Sequence, residues 1–176
     1  MKRIFLMILV VGILSLGACG SQTTHYVSEE FGYSVDYPKD WIVEELSSTS
    51  IGIKPAYNAF NQIQIFAYAG QPLASSMSDL LIIEMYDANL RQSLNASGYT
   101  DIDIPVNTGG EDKWDWEIAF TATYEGFPIQ GGEFIKETES MTYTVFYIQS
   151  GDWLEGQEVM DSFSLTENET EANNGN

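Results

Sequence analysis

The clearest chemistry in this chain belongs to Cys19, because of the three residues before it. Leu16, Gly17, Ala18 and Cys19 read as a lipobox, the cleavage and lipid-attachment signal of bacterial lipoproteins. Gly17 and Ala18 are small enough to let a peptidase reach the backbone, and Leu16 suits an apolar subsite. The Cys19 thiol is the nucleophile that would take up a diacylglyceryl group, with palmitate-type chains, before the peptide ahead of it is cut. An ordinary secretory signal with an incidental cysteine, or a short buried helix, are the alternative readings. Lipid attachment is preferred because the chain's one cysteine falls at the one position that processing would modify.

Other reactive groups are scarce. His25 is the single histidine, so zinc sites built from cysteine and histidine are excluded by counting. A serine triad would have to use His25, and no Gly-x-Ser-x-Gly elbow is present. Gly109 with Gly110 and Gly131 with Gly132 are pairs expected at turns or bulges, not a phosphate-binding loop. With 26 acidic residues, two carboxylates near any cleft arise by chance, so a glycosidase pair has no specificity here. The expectation is a non-enzyme without a cofactor. One acidic group stands out: Asp101, Asp103, Glu111, Asp112 and Asp115 surround a turn at Asn107 to Gly110 and could offer hard oxygen ligands to calcium. They lack EF-hand spacing, and solvent-facing positions on a sheet explain them more simply.

The segments that position these residues divide the chain. Lys2 and Arg3 open residues 1–18, and Ile4 to Leu16 is an apolar core of thirteen residues, short of the roughly twenty that a membrane span needs. Residues 1–18 are thus read as a signal peptide and 19–24 as a lipidated tether. Residues 25–165 form a single domain, and 166–176 a disordered acidic tail. Two acyl chains on Cys19 would hold the mature protein to a membrane without spanning it, on the extracytoplasmic face of the cell membrane or envelope. The formal charge of −19 becomes −21 once Lys2 and Arg3 are removed. Such a surface repels nucleic acid and attracts cations or basic partners, although solubility alone accounts for it.

From His25 the chain alternates with the period of strands. Tyr33, Val35 and Tyr37 share one face, after a turn at Phe31 and Gly32, and Pro38 stops pairing. Strands follow over Trp41 to Leu46, Ile51 to Pro55 and Asn61 to Ala69, the last with Ile63, Ile65, Ala67 and Ala69 on one side. A helix begins around Ser76 to Ser78, whose hydroxyls suit its first free amides, and stops near Gly98. Its apolar stripe reads Leu80, Ile83, Tyr86 or Asp87, Leu90 and Leu94. Tyr99 to Val106 and Lys113 to Tyr124 are strands, the second with Trp114, Trp116, Ile118, Phe120, Ala122 and Tyr124 on one face. Gly126 with Pro128 turns the chain into Ile129 to Lys136 and Thr142 to Gln149. A short helix over Trp153 to Met160 and a last strand over Ser162 to Leu165 close the domain.

Two short motifs carry a family resemblance. Phe31 to Trp41, reading Phe-Gly-Tyr-Ser-Val-Asp-Tyr-Pro-Lys-Asp-Trp, resembles the opening of the PsbP-like superfamily, in which such a strand ends in Tyr-Pro and is followed by a Trp. Met160 to Leu165 is similar to that superfamily's ending, where a short helix leads into Ser-Phe and a final strand. The resemblance spans about residues 25 to 165 and implies an α+β fold, an antiparallel sheet sandwiched between helices. It also implies binding of proteins rather than catalysis, although fold alone does not fix function. Apart from the family, Tyr37 and Trp41 flank a proline, so their rings are expected to meet across it and close one edge of the core.

Two roles follow as expectations. The first is an accessory lipoprotein that offers a surface to an unidentified protein partner. The second is a lipoprotein that binds a small ligand or cation, with Trp114, Trp116 and Tyr124 as a cleft wall. Burial of those three rings under the long helix would speak for the first role, an open concave surface for the second.

Overall fold

A computed structural model describes residues 22–58, 60–70, 72–73, 77–105 and 113–166. The lipobox with Cys19, residues 74–76, Val106, the turn at Asn107 to Gly110, Glu111, Asp112 and the tail beyond 166 lie outside the described residues. In chain order the elements are β1 (Thr23–Ser28), β2 (Tyr33–Pro38), β3 (Trp41–Ser47), β4 (Ser50–Pro55) and β5 (Gln62–Ala69). Then come α1 (Asp79–Ala96), β6 (Thr100–Asp103), β7 (Trp116–Tyr124), β8 (Phe127–Glu137), β9 (Met141–Gln149), α2 (Leu154–Ser162) and β10 (Ser164–Leu165).

Seven strands make one sheet in the order β3-β4-β5-β9-β8-β7-β6, every pair antiparallel. The remaining three form a small sheet, β1-β2-β10, also antiparallel. Because successive side chains point to opposite faces, the large sheet buries residues on both sides. Ile63, Ile65, Ala67, Tyr143 and Val145 face one way and join a cluster with Tyr33, Val35, Val159 and Phe163, from the small sheet and α2. Trp116, Ile118, Phe120, Ala122, Ile129, Ile135 and Ile148 join Ile82, Tyr86, Leu90 and Leu94 of α1 in a second cluster. The result is α1 on one face, and α2 beside the small sheet on the other. The α+β sandwich expected from sequence is present, and the small sheet is an addition to its α2 layer.

Local sequence explains the corners. At the end of α1, Gly98 adopts φ 90°, and its N–H donates to the Asn95 carbonyl while the Tyr99 N–H reaches back to Leu94. That is the paired closure that a residue in the left-handed region permits. Glu125 and Gly126 both have positive φ, between the paired residues Tyr124 and Phe127, which is the two-residue turn that suits strand twist. Pro128 therefore lies in β8 rather than in the turn. It pairs with Thr123 where β9, whose pairing starts opposite Gln130, has already ended, so its missing N–H costs nothing.

Several expectations need correction. The buried stripe of α1 is Ile82, Tyr86, Leu90 and Leu94, a strict spacing of four, with Leu80 exposed and Ile83 half-buried. Ser78 is the N-cap residue of α1, but its hydroxyl makes no capping bond. β6 ends at Asp103, its register shifted where Asp101 takes φ 51°. Ala69 is exposed at the end of β5. Trp41 does not meet Tyr37 as its ring partner: it stacks on Trp153, centroids 5.5 Å apart and planes at 13°, while Tyr37 packs half-buried against the same cluster. Gly156 makes room for that stack, since a Cβ there would stand 2.3 Å from the Trp153 ring.

Candidate functional site

Strand register brings one charged residue, Glu133, into the middle of the α1 face. Gln64 on β5, Phe146 on β9, Glu133 on β8 and Ile118 on β7 stand opposite one another in a single row across the sheet. The neighbouring row holds Phe66, Thr144, Ile135 and Trp116. α1 packs toward β6 and β7, so the row ends on β5 and β9 are not sealed by its apolar stripe. What remains is a groove of about 480 Å³. Asn89 and Ser93 of α1 with the C-cap residue Ser97 form one wall, and Gln62, Gln64, Phe66, Thr144, Phe146 and Glu133 the floor. Tyr99 and Tyr124 close one end, their rings 4.7 Å apart.

The electrostatics of the groove centre on Glu133. Burial alone pushes its carboxyl up to about 7, since removing a carboxylate from water disfavours its charged form. Neighbouring phenols respond. Tyr68 is pushed up by burial first and by the charges of Glu133 and Glu137 after it. Tyr86 is raised in the same way and donates its hydroxyl to Glu137 at 3.3 Å. Glu137 thus has a donor, whereas no hydrogen bond or ion pair reaches the Glu133 carboxylate among the described residues.

A larger hollow of about 860 Å³ lies on the opposite face beside α2, lined by Trp114, Phe134, Tyr147, Trp153 and Lys113 among others. Its cation is already committed. Lys113 Nζ donates to the carbonyls of Met160, Asp161 and Phe163 at 2.8, 2.7 and 3.1 Å, and stands 5.1 Å from the Trp114 ring centre. Lysine at the last carbonyls of a helix is a structural cap, and its partial burial lowers its pKa. The groove under α1 is therefore the better candidate site despite its smaller volume.

The residues singled out in the sequence fall only partly within the described structure. Asp101 and Asp103 are exposed on β6, while Glu111 and Asp112 lie outside the described residues. Asp115 is taken up locally: its carboxylate accepts from Lys136 Nζ at 3.0 Å and from the Glu137 N–H at 2.7 Å. Among the described residues no three metal-ligating side chains come together. His25 pairs with Asp36 at 2.6 Å on the exposed side of the small sheet.

The proposed aromatic wall is not formed. Trp116 is buried under α1, whereas Trp114 is buried on the other face against Phe134 and Phe163. The alternation breaks at Asp115, whose N–H bonds the Ile135 carbonyl while Trp116 pairs with Ile135. Two residues facing one reverses the side on which Trp114 emerges. Tyr124 alone of the three lines the groove. Glu133 went unnoticed, although a signal existed: Ile129, Gly131, Glu133 and Ile135 share the inward register of β8, and a charge among them is anomalous.

Comparison with solved structures identifies the class of fold. The solution structure of cyanobacterial PsbP from Synechocystis sp. PCC 6803 aligns with a TM-score of 0.60 at 13% identity, over 85% of this chain and 98% of that one. A crystal structure from Bacteroides thetaiotaomicron VPI-5482 gives 0.52 at 17% identity over 82% of this chain, which spans about half (48%) of that longer one. LpqN, involved in cell envelope biogenesis of Mycobacterium tuberculosis, gives 0.45 at 12% over 82% and 91% of the two chains. The fold is PsbP-like, as the opening and closing motifs imply. No family model matches the chain, and no curated protein resembles it in sequence. Among the described residues no helix is long and apolar enough to cross a membrane.

Proposed function

We propose that this chain is a lipid-anchored, extracytoplasmic accessory protein that works by binding a protein partner rather than by catalysis. The observation that carries this reading is a spacing. β1 begins at Thr23, four residues beyond the lipobox cysteine, Cys19. Four residues reach at most about 14 Å, so a diacylglyceryl group on Cys19 would hold the sheet against the bilayer surface. A PsbP-like domain kept there offers its loops and helices to neighbours in the envelope. Its acidic surface favours basic partners.

Mass spectrometry of the native product tests the anchor. The expected product starts at Cys19 and carries the lipid mass, while an unmodified chain retaining residues 1–18 would overturn the location. Crosslinking and pull-down from intact cells, comparing the native chain with Cys19→Ala, tests the role. A specific partner enriched with the native chain and depleted with the variant is expected, and no enrichment in either sinks it.

A further inference from the structure

Glu133 is placed where a charge has no counterpart among the described residues. It sits in mid-sheet between Phe146 and Ile118, and the described residues lining the groove include no lysine, arginine or histidine. The surroundings are otherwise apolar or neutral: flat aromatic faces, as from Phe66, Phe146, Tyr99 and Tyr124, the leucines of α1, and neutral hydrogen-bonding groups such as Gln64 and Thr144. We propose that this groove is a binding site for a small organic cation, a primary ammonium on an aliphatic body. Its N–H groups pair with the Glu133 carboxylate, and its carbon chain lies along the aromatic faces.

Each feature selects this chemistry. A desolvated carboxylate gains most from a partner that brings both opposite charge and N–H donors. Aromatic faces attract cations and accept the adjoining methylenes. A metal ion would need several hard oxygen ligands, and Glu133 is the one carboxylate lining the groove. An anion would be repelled. The volume of about 480 Å³ lies within the range of small-molecule sites. This site goes beyond the anchored accessory role and stands without it, since it uses no residue of the segment 1–24.

The test is a titration of the full chain, isotopically labelled, with pentylammonium at about pH 8, where a primary amine stays protonated. Pentanol serves as the neutral control. Two-dimensional NMR should show saturable shifts at Gln64, Tyr68, Glu133 and Thr144, with pentanol binding at least about tenfold more weakly. Glu133→Gln keeps the shape and removes the charge, and should weaken pentylammonium by at least about tenfold while leaving pentanol unchanged. Diffuse attraction to an acidic surface would survive that substitution, because the net charge of −19 changes by only one. Should Glu133→Gln not fold, Tyr99→Leu at the groove's end replaces it, with a smaller loss expected for the amine. Equal binding of amine and alcohol, equal binding by native chain and variant, or no shifts at millimolar amine would each overturn the site.

Discussion

The two faces of the large sheet are built on opposite terms. The α2 face is aromatic: Trp41 stacks on Trp153, Phe163 stacks on both Trp114 and Tyr33, and Tyr143 donates its hydroxyl to the Phe31 carbonyl at 2.7 Å. Lys113, the cation lining its hollow, is consumed in closing α2. The α1 face packs a stripe of four side chains onto β7 and its neighbours, then leaves glutamines, a threonine and a carboxylate that has no partner among the described residues beside it. One face uses its charge to fasten a helix. The hollow of the other holds a carboxylate with no partner among the described residues, and that difference singles out the α1 face as the site.

The largest test of the contrast is removal of an aromatic from the α2 face. Trp41→Ala is expected to cost about 3 to 5 kcal/mol in denaturant unfolding, because Trp153 loses its stacking surface and a cavity opens. An unchanged midpoint would refute the tight packing of that face.

On the α1 face the matching test is pH. Burial raises the Glu133 carboxyl from 4.5 to about 7, so the folded chain holds a proton that the unfolded chain has already released. Its contribution to stability is whole below about pH 4.5 and is lost as pH rises through about 7. The loss is at most about 3 kcal/mol. Unfolding curves measured across that window should therefore diverge: Glu133→Gln should gain on the native chain as pH rises. Parallel curves would mean that Glu133 is solvated.

The smallest effects concern how each helix is fastened. Lys113→Met, which strips three carbonyls of their donor, should cost about 1 to 2 kcal/mol. Ser78→Ala should change stability by no more than about 0.5 kcal/mol, because the Ser78 hydroxyl caps nothing. A reversed order in thermal melts would remove the asymmetry between the two faces.

Much of the fold was legible. β5 shows why: Ile63, Ile65 and Ala67 alternate with Gln62, Gln64 and Phe66 without interruption, so period alone assigns both strand and faces. The opening and closing motifs were legible too, since Tyr33 and Phe163 meet in the structure. Trp114 was misplaced because a two-against-one register at Asp115 leaves no mark on composition. The α1 stripe slipped because leucine at position 80 and isoleucine at 82 fit equally well until a partner surface chooses. Glu133 was legible in principle as a charge on an inward register, but a groove depends on how far a helix covers its sheet, which is a tertiary fact.

The small sheet fixes the chain's polarity in space. Thr23 pairs with Pro38 at one end of β2, whereas Leu165 pairs with Tyr33 and the Thr166 N–H bonds the Gly32 carbonyl at the other. The polypeptide therefore enters and leaves this strand at opposite ends, separated by about 20 Å of strand. The described chain thus starts and stops at opposite poles of the small sheet, so labels placed at Thr23 and Thr166 would report on two different ends of it.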